Sequence, residues 1–155
     1  MAVTSGPQKE IKYGYLYGPR CITPDWPLAA SVVFDNSGGK FCDLDASNRL
    51  TIAVAGQTDI KGWALAGEYT ASATAGASAE ALDISHFAVY GIPSDSAPAA
   101  GNLGESCDLV VASNVQKASI SLSTEDVIHI IDYNATDSVV AVHLVTRNIT
   151  YAGVV

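Results

Sequence analysis

Three histidines, His86, His129 and His143, are the side chains that titrate nearest neutrality in this chain. His129 and His143 fall in two apolar runs that pair as a hairpin, which makes them neighbours. Two histidines across a ladder suit a metal ion, but a useful site takes a third or fourth ligand. Asp132 is the nearest such group, and strict strand alternation puts it on the opposite face from His129. The histidines therefore read as ordinary sheet residues. The acid pairs Asp43/Asp45 and Glu125/Asp126 have the residue type of glycosidase carboxylates. Asp43 and Asp45 share a strand face but lead straight into Ala46-Ser47-Asn48, where an aspartate initiates a turn. Glu125 and Asp126 follow Ser123-Thr124 and precede an apolar strand, a place for a polar turn. Serines abound, but none sits in a G-x-S-x-G elbow that would set it against a base. The 13 glycines are dispersed, with no dinucleotide fingerprint or phosphate loop. Cys21, Cys42 and Cys107 are odd in number and far apart, which favours buried free thiols over a disulfide framework, a Cys21–Cys42 bridge being the alternative. No catalytic, metal-binding or cofactor-binding residue is expected, and the chain does not read as an enzyme.

Composition points the same way. Charged residues make up 15% of the 155, well under the quarter usual in globular proteins. A weakly charged skin repels neighbours poorly, so an assembled protein is expected over a free monomer. The net charge of −8 comes with no run of Lys or Arg. Nucleic acid and anionic membranes, which both select clustered cations, are not expected partners. No apolar run reaches the ~18 residues of a membrane span. The opening MAVTSGPQKE lacks a charged head followed by an apolar segment, so no secretory signal is expected. The sequons at Asn134 and Asn148 then read as chance matches.

The elements that must position these groups are strands. Leu50, Ile52 and Val54 alternate with polar or small residues, as do Ala118, Ile120 and Leu122. Val127 to Ile131 and Val139 to Val145 are apolar on both faces and belong in the centre of a sheet. Further strands are expected in 30–35, 60–66, 84–91 and 107–112, and residues 77–84 alone read locally as a short helical turn. Turns are expected at 36–39, 45–48, 93–95 and 134–137, the last closing a hairpin of 126–133 with 138–145. The reading is all-β: a single-domain β-barrel or β-sandwich of roughly nine short strands, since that much sheet closes or folds over itself.

Residues 1–29 are expected to form an extended N-terminal arm ahead of a barrel or sandwich domain at 30–155. Pro7, Pro19, Pro24 and Pro27 exclude a central strand there. Tyr13, Tyr15 and Tyr17, spaced by two, and Trp26 suit a ribbon laid on an apolar surface, either of this domain or of a neighbouring chain. These four are the candidate interface residues. The loop 94–105, SDSAPAAGNLGE, is small-residue-rich and able to reach a partner. Trp26 and Trp63 also open an alternative, a carbohydrate-binding β module.

The order of phrases carries one more signal. Ile60-Lys61-Gly62-Trp63-Ala64 leads to Glu68-Tyr69-Thr70, a small-residue tract, and His86-Phe87-Ala88-Val89-Tyr90-Gly91-Ile92-Pro93. Gly104-Glu105-Ser106-Cys107-Asp108-Leu109-Val110-Val111, Asn114-Val115-Gln116-Lys117-Ala118 and Asp126-Val127-Ile128 follow. Over about residues 50–145 this succession resembles the head-decoration, or capsid cement, proteins of tailed bacteriophages. The resemblance implies a β-rich structural virion protein on the capsid exterior, made in the host cytoplasm. It implies the major capsid protein and copies of itself, often as a trimer, as partners, and neither enzymatic activity nor a cofactor. A phage tail- or fibre-associated structural protein is the alternative nearest to it.

Overall fold

The computed structural model describes residues 10–34, 39–121 and 124–145. Among them are fourteen strands, one 3-10 turn at Ala100–Asn102 and no α-helix. The strands are β1 (Gly14–Tyr17), β2 (Trp26–Pro27), β3 (Val33–Phe34), β4 (Lys40–Leu44), β5 (Leu50–Ile52), β6 (Gly62–Ala64) and β7 (Tyr69–Thr70). They continue as β8 (Ala79–Glu80), β9 (Leu82–Asp83), β10 (Val89–Pro93), β11 (Ser106–Ala112), β12 (Val115–Ser119), β13 (Ile128–Asn134) and β14 (Val139–Leu144). The all-β expectation holds. Two-residue strands raise the count above nine, and the barrel does not close.

A six-stranded antiparallel sheet, in the order β1-β10-β14-β13-β11-β12, stacks on a four-stranded sheet, β5-β4-β6-β9. Alternation decides which side chains meet between them. Tyr90, Ile92, Val140, Val142, Ile128 and Ile130 point from the larger sheet towards Phe41 and Trp63 of the smaller one. Trp63 stacks on Tyr90 at 4.6 Å between ring centres, and Phe41 meets Trp63 edge-on at 4.7 Å. The far side of the smaller sheet is apolar too, because Leu28, Val32, Phe34 and Ala71 cover Cys42, Leu50, Ala64 and Leu82 there. A layer built from the pairs β2–β8 and β3–β7 thus backs the sandwich.

One buried polar side chain joins the two sheets. Gln116 of β12 is fully buried and accepts the Phe41 N–H at 2.9 Å. Its amide nitrogen donates to the carbonyls of Phe41 at 2.8 Å and Ala53 at 2.9 Å. The smaller sheet's backbone is thereby bonded to the larger sheet.

The expected hairpin is present, with β13 and β14 joined through 135–138. Asn134 builds the turn by accepting the N–H groups of Thr136 and Asp137. The helical turn expected at 77–84 is instead extended, as β8 and β9. Leu82 and Asp83 are both buried by pairing with β6, and this tertiary pairing overrides the helix propensity of the alanines. The expected strand at 84–91 starts only at Val89, since Ser85 and Phe87 form a local turn on the Asp83 carboxylate and the Ser85 hydroxyl. Leu122 and residues 36–38 lie outside the described residues.

Residues 10–29 are woven into the domain. β1 forms an edge of the larger sheet beside β10, and β2 pairs with β8. The chain reaches that edge by crossing β10 at Gly91, where a built Cβ would overlap the Lys12 carbonyl. At the far end of β1, Gly18 has φ +101, and a Cβ there would overlap the Phe87 carbonyl.

Candidate functional site

The densest polar constellation lies where this ribbon meets β9 and β10. Asp83 is fully buried and accepts hydrogen bonds from Arg20 Nε at 2.9 Å, the Cys21 N–H at 3.0 Å, the Ser85 N–H at 3.0 Å and the Tyr90 hydroxyl at 2.7 Å. Burial drives its carboxyl upward, but the bonds from Tyr90, Cys21, Arg20 and Ser85 outweigh it and hold the group below the ordinary carboxylate range. Burial and the Asp83 charge push the Tyr90 hydroxyl the other way, upward. Such a carboxylate is anionic with its lone pairs occupied, unfit for a base or nucleophile. Its work is to staple residues 20 and 21 to the sandwich. Sequence reasoning missed it, since no local pattern links partners more than sixty positions apart.

The carboxylates of Asp43 and Asp45 are also occupied. Asp45 accepts the N–H groups of Ser47 and Arg49 and the Arg49 guanidinium, as the turn reading expected. Asp43 accepts from Gln57 at 2.7 Å, and burial raises its carboxyl. Glu125 and Asp126 line a polar depression with Thr58, Asp59 and Thr124, while their backbone N–H groups bond to Asp108. Among the described residues no three His, Cys, Asp or Glu side chains group as metal ligands.

His129 and His143 are direct cross-strand partners on β13 and β14, as the hairpin expectation requires. The position of Asp132 differs from expectation. A β-bulge between Ile130 and Asp132 shifts the alternation, so Asp132 pairs with Ala141 and lies on the same sheet face as His129 and His143. Burial, then the neighbouring His143, holds His129 below the ordinary histidine range. His86 is lowered by burial as well, against a hydrogen bond to the Leu144 backbone, and its Nδ1 is buried without a partner.

The four candidate interface residues separate into two kinds. Tyr13 turns inward, packing 5.7 Å from Trp63 and donating its hydroxyl to the Gly39 carbonyl at 2.9 Å. Trp26 is half-buried against the layer behind the smaller sheet. Trp63 is fully buried, which removes it as a sugar platform. Tyr15 and Tyr17 remain 40% and 48% exposed, with the Arg20 guanidinium 4.4 Å over the Tyr15 ring.

These two tyrosines belong to a larger surface. Tyr17 pairs with Val89, Gly18 packs on the Phe87 backbone, Ile22 bridges Asp83, and the Ile84 N–H bonds to the Cys21 carbonyl. The paired segments 15–22 and 84–87 therefore carry Tyr15, Tyr17, Ile22, Ile84 and Phe87, five of the eight exposed large hydrophobics among the described residues. Phe87 is 74% exposed, the most of these five. Cys21 is exposed on the same ribbon, whereas Cys42 and Cys107 are buried free thiols that burial pushes up to about 12. The bulge in β1 sets Tyr15 opposite the core-facing Tyr90 and Tyr17 opposite Val89 on the outer face. These two tyrosines therefore leave the sheet on opposite sides, and the apolar run follows its edge. An exposed apolar run of this kind marks a docking surface. Ile22, Ile84 and Phe87 lack a sequence signal for exposure, Ile84 and Phe87 falling where a strand is expected. No family model, curated protein or solved structure matches this chain.

Proposed function

We propose that this protein decorates and stabilises the outside of a tailed-phage capsid by bridging neighbouring capsid subunits. The observation that carries the reading is the exposed ribbon of Tyr15, Tyr17, Ile22, Ile84 and Phe87 on a rigid two-sheet block. The phrase order over residues 50–145 supports it, as does the weakly charged surface. The partners in this reading are the major capsid protein and copies of this chain, as a trimer, with no enzymatic step and no cofactor.

The docking face replaces a free arm as the binding device. Tyr13 and Trp26 hold the ribbon to its own domain, and in this reading Tyr17 and Phe87 meet the shell. Burying an aromatic side chain contributes roughly 1.5–3 kcal/mol, and many copies on one shell add to it through multivalency. The test adds purified protein to capsids that lack it and counts bound copies by gel densitometry. Tyr17→Ser with Phe87→Ser should lower occupancy at least about tenfold at limiting protein while the unfolding midpoint stays put. Full occupancy by the folded double variant would remove this face from the mechanism. Few copies per particle instead of hundreds would favour the tail or fibre assignment.

A further inference from the structure

We propose that His129 and His143 form a two-imidazole site for a borderline divalent transition ion, such as Zn²⁺, Ni²⁺ or Cu²⁺, on the outer face of the six-stranded sheet. The inference concerns the isolated chain and stands apart from the capsid reading.

The first argument is placement. The two residues are paired directly across β13 and β14, so their backbones hold the rings side by side before any ion arrives. Both are half-buried, accessible from solvent yet held by neighbours.

The second argument is ring chemistry. His143 Nδ1 lies 3.0 Å from the Leu144 carbonyl oxygen. A carbonyl only accepts, so Nδ1 carries the proton and the neutral ring keeps its lone pair at Nε2. His129 Nδ1 lies 3.3 Å from the Ser106 hydroxyl, which accepts as readily as it donates. Each ring thus has an oxygen partner at Nδ1 that orients it and leaves Nε2 to coordinate, the arrangement that supports metal-bound histidines.

The third argument is distance. A zinc–nitrogen bond of about 2.0–2.1 Å puts each ring centre about 3.2 Å from the ion, and a tetrahedral angle then separates the centres by about 5.2 Å. The observed separation is 5.1 Å, with the rings tilted by 51° rather than stacked. Because no third protein ligand groups with them among the described residues, water completes the shell. This selects ions that favour imidazole over Mg²⁺ and Ca²⁺, which seek oxygen.

The test uses the full chain without an affinity tag, stripped of metal and held above the ordinary histidine range. Titration with NiCl₂ and ZnCl₂ should show one ion per chain, and the unfolding temperature should rise with ion concentration by mass action. His129→Asn and His143→Asn should each weaken binding about tenfold or more, while His86→Asn leaves it unchanged. Copper(II) bound to the unaltered chain gives a readout that no variant's folding can disturb, because its electron spin resonance counts coordinated imidazoles. Two equivalent imidazoles support the site. One or none, an absence of saturable binding, or affinity untouched by both substitutions would overturn it.

Discussion

A carboxylate withdrawn wholly from water keeps its charge only where donors replace the lost hydration, and Asp83 has four of them. Removing the group strands those donors together with the Arg20 cation. Asp83→Ala should therefore cost about 3–5 kcal/mol, measured by urea unfolding at neutral pH. Its pH signature follows from the direction of the shift. The folded value is below the unfolded one, so the contribution is complete above 3.8 and disappears as pH falls through the folded value. His86 adds a separate phase. Burial lowers it in the folded state, so the unfolded chain takes up protons first, and stability declines as pH drops from 6.5 towards the folded value. His86→Asn should shrink that upper phase to the share of His129, which burial also lowers, and leave the acid phase of Asp83 in place. One acid-side stability profile for each variant checks both.

At the scale of elements, what decides legibility is the distance along the chain between partners. The β13–β14 hairpin was readable because Asn134 sets its turn and both strands are apolar nearby. The bulge at Ile131 was not, since strict alternation offers no sign of an extra residue, and the face of Asp132 was misjudged with it. The ribbon around β1 was recognised as extended, yet its bed on β10 was invisible because the paired residues lie more than seventy positions apart. Gly91 is the position where this bed is tightest. Gly91→Ala should destabilise by about 1–3 kcal/mol, because a methyl group there meets backbone that has no room to yield. Gln116→Leu should cost at least about 2 kcal/mol by stranding the Phe41 N–H and the Ala53 carbonyl, while the Phe41 carbonyl keeps the Ala53 N–H as its donor. Denaturation midpoints for the two variants test the crossing and the inter-sheet tie separately.

For the whole molecule, the ribbon makes the N-terminal third of the sandwich inseparable from the rest. Truncation through residue 22 removes β1, Arg20 and the Cys21 N–H together, so the shortened chain should lose cooperative unfolding rather than merely lose a tether. Near-ultraviolet circular dichroism of the truncated chain checks this through the packing of Trp63 and Tyr90. The same weave explains why the candidate face was only half legible. Tyr15 and Tyr17 were visible from spacing, but Phe87 joins them through a backbone contact that only the folded chain makes.

The three thiols have contrasting surroundings, and this gives the chain a built-in reporter. A maleimide at neutral pH should couple to one position per folded molecule, Cys21, since the other two thiols are shielded and protonated. That position sits among the very residues assigned to docking. Mass spectrometry of alkylated particles would then read attachment directly, as a fall in labelling whenever the ribbon is covered.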